Sequence, residues 1–305
     1  MTSNPERNIT LDYYKIFLSI LVITIHYKIM PNSPLEVFYN EILRDGIAKI
    51  AVPTFFIING YFLKINDYNR VKKYIVRITI LYITWSLFYL PNFDIGYIRL
   101  FLVNIIFGYY HLWYLLGLIG AVVLLFILKK YIHNNNLLLL IGLSLFIIGY
   151  IIQLNAGVTT FSEYKSRNFL FVGLPFLILG NIIRNADITL KNKTGYLLLA
   201  ASVFLFVVEI YLSKLFMGNL WDTYLSLFII CPIALLFCIN HSKYSSQKSD
   251  INHLSSAVYF IHVFVIKIAS MLYVPSLYVF PFIVLFSVLL SFLIIYVNKF
   301  LRIFL

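Results

Sequence analysis

The chain is built from apolar runs too long and too closely spaced for a soluble domain to bury. They lie at 11–30, 47–63, 74–90, 111–128, 137–153, 169–184, 196–213, 224–240, 256–272 and 278–298. A helix rises about 1.5 Å per residue, so runs of this length suit a hydrocarbon core about 30 Å thick. Membrane-spanning strands would instead alternate apolar and polar residues over roughly ten positions, and the runs do not. Composition agrees, with 61% hydrophobic and 12% charged residues, where an ordinary soluble domain carries about 25% charged. The expected fold class is an all-α integral membrane protein, a single bundle of about ten transmembrane helices. The apolar stretch 98–108 is too short to cross and is expected to be re-entrant or interfacial. No internal repeat and no Pro/Gly/Ser-rich linker marks off a soluble part, so residues 1–305 are expected to form one membrane domain. The first run lacks a sizeable basic flank and a small-residue cleavage pattern, which reads as a retained helix and not a signal peptide.

The formal charge is +12, from 24 Lys and Arg against 12 Asp and Glu. These cations are scattered through short loops, which argues for topological signalling and against nucleic-acid binding. With the N-terminus in the cytoplasm, 14 Lys and Arg fall on inner segments and 5 on outer ones. The positive-inside rule therefore places both termini in the cytoplasm. Cys231 and Cys238 share one apolar run, a pattern of free thiols and not of a disulfide or a metal site.

A charge at mid-membrane costs about 2.5–3.5 kcal/mol on insertion scales, so polar groups inside the runs need a reason. Lys28 and Lys49 lie near the outer surface, where their long side chains reach water. Lys267 is deeper, and a pairing acid or a cavity would explain it. Asp12 and Lys15 are three residues apart on the first helix and share a face. Lys15 and His26 are eleven apart, which leaves them only about 20° out of register after three turns. One stripe thus carries a cation near the cytoplasmic surface and an imidazole nearer the outer one. Arg70, Lys72, Lys73 and Arg77 crowd the cytoplasmic start of the third helix. A guanidinium such as that of Arg77 suits a phosphate, so an anionic cosubstrate such as a coenzyme A thioester fits this mouth. No Gly-rich phosphate loop, metal-ligand spacing or Ser–His–Asp motif offers a competing centre.

These residues resemble acyltransferase family 3, bacterial membrane enzymes that O-acetylate surface polysaccharides and related molecules. Lys15 to His26 in LDYYKIFLSILVITIH is similar to the family's opening signature of a basic residue, ten residues and a histidine. VPTFFIINGYFL (52–63) resembles its Pro-x-Phe-Phe segment, and KKYIVRITILYITW (72–85) its basic third helix. HLWYL (111–115) and SSAVYFIHVFV (255–265) resemble its His-x-Trp and late Tyr-x-x-His segments. Two positions depart from the pattern: Lys15 stands where Arg is usual, and Asn59 where Ser is common. The chain as read carries no fused extracytoplasmic hydrolase-like domain of the kind some members have.

The resemblance implies a multi-pass enzyme of the bacterial cytoplasmic membrane that takes an acyl group, most simply acetyl, from cytoplasmic acyl-CoA. Arg77, with Arg70, Lys72 and Lys73, would hold the donor's phosphates. His26 would act as general base on an acceptor hydroxyl of a cell-surface or lipid-linked glycan. Asp12 and Lys15 would orient the first helix or contact the donor. An oxyanion donor is also needed, for which His111, Tyr114 and Asn59 are candidates. Trp113, Tyr259 and His262 are candidates for the acceptor site. Acetyl-CoA would be a cosubstrate with no permanent cofactor or metal, and the partners are the acceptor and membrane lipids. The competing class is a transporter or flippase for a lipid-linked glycan or other polar solute, whose path the same intramembrane charges would line.

Overall fold

The computed structural model describes residues 7–29, 36, 38–90, 108–156, 165–186, 188, 190, 192–217, 221–245 and 251–305. The expected interfacial stretch 98–108 lies outside them except for Gly108. Ten α-helices are present among the described residues: α1 Ile9–His26, α2 Ala51–Phe62, α3 Tyr68–Tyr89, α4 Trp113–Tyr131, α5 Asn135–Ala156, α6 Leu174–Ala186, α7 Asn192–Met217, α8 Leu227–Asn240, α9 Ile251–Met271 and α10 Ser276–Leu301. Shorter turns precede some of them, a π-helix at Phe38–Arg44, a 3₁₀ turn at Ile47–Ile50 and a π-helical turn at Phe169–Gly173. Each helix matches one expected run. Seven helical segments among the described residues are long and apolar enough to span a bilayer. Those at the second, third and eighth runs fall outside that set. α2 and α8 have only 12 and 14 residues, and α3 carries the basic cluster.

The chain divides into two compact units, one of residues 1–55, 189–220 and 229–305, the other of 56–188 and 221–228. In the first, α1 packs along α9, and α9 turns back into α10 through Tyr273, whose φ is +51°. Ser19 meets Ser255, with the two Oγ atoms 2.7 Å apart. One heptad further along both helices, the rings of His26 and His262 lie 5.2 Å apart. Both contacts advance in the same chain direction, so α1 and α9 are parallel. The start of α1 is anchored by Asn8, whose side chain accepts from Leu11 N at 3.0 Å and donates to Ser242 Oγ at 2.6 Å. Arg7 and Asn8 pair as a two-residue antiparallel ladder with Ser245 and Tyr244. Beyond α1, the Asn40 carboxamide grips both backbone groups of Ile29, at 3.0 and 3.1 Å.

In the second unit α3 and α4 run antiparallel, as the ring contacts Tyr68–Phe126 and Tyr89–His111 show. α2 and α6 cross at glycines. A Cβ on Gly60 would stand 2.2 Å from Leu177 O, and one on Gly180 would stand 2.0 Å from Ile57 O. Only hydrogen at both positions permits this approach, the small-residue packing that membrane helices use where lipid supplies no hydrophobic drive. Arg184 on α6 donates to the carbonyls of Tyr61 and Phe62 at 2.9 and 3.0 Å, satisfying the C-terminal end of α2. Phe146, Phe176 and Phe228 stack as a core cluster, and Gln153 and Thr223 join through three 3.0 Å hydrogen bonds.

Candidate active site

Within the first unit the polar groups of α1 turn toward α9. Asp12 and Lys15 form the expected ion pair, Nζ to Oδ1 2.8 Å, with the Asp12 side chain 5% exposed and that of Lys15 23%. Asp12, Ser19 and His26 recur at seven-residue intervals, so they line one seam. The Lys15 carbonyl accepts from Ser19 Oγ at 3.0 Å and Ser255 Oγ at 2.9 Å, which seals its backbone into the helix contact. His26 is half-buried at the far end of this seam. Beside it, His262 is fully buried and its Nδ1 lies 2.7 Å from the Tyr259 carbonyl. His262 and Tyr259, singled out as acceptor-site candidates more than 230 residues beyond α1, therefore share one helix pair with Asp12, Lys15 and His26. Lys28 is exposed, as a snorkelling residue should be. Lys267 is exposed as well.

The second unit holds the remaining candidates. Tyr74 Oη donates to Asn59 Oδ1 at 2.6 Å, and Asn59 Nδ2 donates to Tyr114 Oη at 2.7 Å. A carboxamide from α2 is thus bracketed by phenols from α3 and α4, and Tyr114 also packs on Phe56, 4.7 Å between centroids. His111 is buried, edge-on to Tyr89 at 5.3 Å. It sits in a turn that Gly108 makes possible, with φ +88° and no room for a Cβ beside Trp113 N. Trp113 carries the Arg167 guanidinium over its ring at 5.2 Å, and Arg167 pairs with Asp222 at 3.3 Å. Arg70, Lys72, Lys73 and Arg77 all lie exposed on α3. Arg70, Lys73 and Arg77 form one stripe by their helical spacing, and Arg70 is tied to Asp67 at 3.1 Å. Arg77 lies on the exposed side of α3, whose packed side carries Tyr74 and Ile78.

Sequence reasoning missed Tyr74, Arg167, Asp222 and the Ser19–Ser255 contact. Tyr74 is embedded in the basic tract and carries no spacing signal. Arg167 and Asp222 are 55 residues apart, beyond the reach of any local pattern. Ser19 reads as an ordinary small residue of a membrane helix until its partner is known.

The chain is similar in sequence to longer curated proteins. An amino-acid racemase of Enterococcus faecalis is 26% identical over 304 aligned residues, covering 88% of this chain and 42% of that protein. A serine/alanine racemase of Enterococcus gallinarum is 25% identical over 266 residues, covering 76% of this chain and 36% of its own length. The chain thus spans less than half the length of these curated relatives. No solved structure matches it. The family model described as an acyltransferase domain matches residues 8–296, nearly the whole chain, and the protein therefore belongs to acyltransferase family 3.

Proposed function

We propose that the chain moves an acyl group, most simply acetyl, from acyl-CoA to a hydroxyl of a cell-surface or lipid-linked glycan at a bacterial cytoplasmic membrane. The observation that carries this reading is the α1 seam, where an ion pair of buried Asp12 with half-buried Lys15 shares one face with His26 inside a family 3 chain. In the reaction the acceptor oxygen bonds to the thioester carbon while His26 takes the hydroxyl proton. The carbon–sulfur bond then breaks, and the departing thiolate of coenzyme A receives that proton. An imidazole suits the task because it can take up a proton at a ring nitrogen and give it back. Arg77 and Lys73, with Arg70 and Lys72 beside them, supply the cationic α3 face for the donor's phosphates. Tyr114, held by Asn59, is the oxyanion donor best supported by its hydrogen bonds, and His111 is the other candidate. Trp113, which carries the Arg167 guanidinium over its ring, is the candidate aromatic contact for the acceptor.

The test is label transfer. Proteoliposomes holding the protein would receive labelled acetyl-CoA and an acceptor glycan, and transfer is expected from the wild type. His26→Ala is expected to lower it by about 100-fold or more, the usual worth of a general base. Full activity of His26→Ala would remove His26 from the role.

A second reading has one observation in its favour, the racemase names of the matched relatives. There the membrane chain passes an amino acid across the bilayer for another protein or domain to act on. Saturable flux of labelled serine or alanine through the same proteoliposomes, without label transfer from acetyl-CoA, would establish that reading in place of the first.

A further inference from the structure

The acyl-transfer reading gives His26 a task and leaves His262 unexplained. A fully buried imidazole is costly unless its polar atoms are used. One use is on view: the Tyr259 carbonyl, 2.7 Å from Nδ1, can only accept. His262 Nδ1 therefore carries the proton, and the neutral ring keeps its lone pair at Nε2. The ring stands 5.2 Å from that of His26, at 35° between planes, which is direct side-chain contact. The register that brings them together is also fixed. Ser19 and Ser255 interlock one heptad earlier on the same two helices, and the Lys15 carbonyl accepts from Ser255. A slip of α1 along α9 would break these hydrogen bonds before it separated the imidazoles.

We propose that His262 is a positioning residue for His26. Locked in one tautomer by the Tyr259 carbonyl, it fixes the orientation and tautomer of the His26 ring so that the basic nitrogen faces the acceptor hydroxyl. His262 gains and loses no proton over the cycle. The proton passes from hydroxyl to His26 and on to the coenzyme A thiolate. The proposal rests on the reading of His26 as base.

Asparagine and glutamine separate the two ends of the His262 ring. His262→Asn places an amide N–H near Nδ1, keeping the bond to Tyr259 while removing Nε2. His262→Gln extends its amide to the Nε2 position. Wild type, His26→Ala and both His262 variants would be compared in proteoliposomes with labelled acetyl-CoA. His262→Asn is expected to lower kcat by about 10- to 100-fold with KM for acetyl-CoA unchanged, the scale of a misdirected catalytic group. His262→Gln is expected to retain more of kcat than His262→Asn. Nitrogen-15 spectra of histidine-labelled protein would report the His26 tautomer, which is expected to change in His262→Asn. Full kcat and an unaltered His26 tautomer in His262→Asn would overturn the proposal, as would equal losses in both variants with that tautomer unaltered. Absence of transfer by the wild type, or full activity of His26→Ala, would instead strike the proposed function. In that case the nitrogen-15 spectra still decide whether His262 sets the His26 ring.

Discussion

Asn59 stands between two phenols, and its carboxamide is the junction of three helices of the second unit. Tyr74→Phe deletes one hydroxyl and leaves Asn59 Oδ1 without the donor it has at 2.6 Å. Loss of a partner for a sheltered polar group costs about 1–3 kcal/mol. The detergent-solubilised chain should therefore melt several degrees lower, and an unchanged melting temperature would show the bond to be idle. Tyr114→Phe should act similarly, and the double variant should lose less than the sum, because both phenols share one carboxamide. The sequence displayed Asn59 and Tyr114 through their motifs but gave no reason to join them to Tyr74. By contrast, the shared face of Asp12, Lys15 and His26 was legible at once. Helical periodicity is a local property and needs no tertiary information.

At the scale of elements, the sequence located the ten α-helices found among the described residues, since a long apolar run has few other ways to satisfy its backbone in lipid. It overstated α2. The run 47–63 looks like one span, yet it is built as a 3₁₀ turn followed by a 12-residue helix whose last carbonyls are held by Arg184. Hydropathy counts apolar side chains and does not register which backbone groups find partners elsewhere. The α2–α6 crossing offers a sharp test. Gly180→Ala would set a methyl against Ile57 O at 2.0 Å and force the helices apart, at a cost of about 1–3 kcal/mol. Gly142→Ala on α5 meets only ordinary contacts, the nearest at 3.5 Å, and gains helix propensity, so it should be neutral or slightly stabilising. Melting temperatures of the two variants should move apart. Equal behaviour would show that the glycine crossing is not the constraint.

For the whole molecule, the bias of 14 inner to 5 outer cations predicts both termini in the cytoplasm. The parallel pairing of α1 and α9 is what a first and a ninth alternating span would give whichever face the termini occupy, so orientation needs its own test. With Cys231 and Cys238 replaced by serine, Lys72→Cys should react with an impermeant maleimide only when the cytoplasmic face is open. Lys165→Cys should react from outside, and the reverse pattern would overturn the orientation. Both side chains are exposed, so access depends on sidedness alone. The sequence by itself determined the membrane class, the helix positions and the face that carries Asp12, Lys15 and His26, because hydropathy and helical period act over neighbouring residues. Only the tertiary structure decided that His262 lies against His26, that Tyr74, Asn59 and Tyr114 form one hydrogen-bonded chain, and that Arg167 covers Trp113. Those contacts join residues tens to hundreds of positions apart, and it is helix packing, set by small residues and buried hydrogen bonds, that brings them within reach.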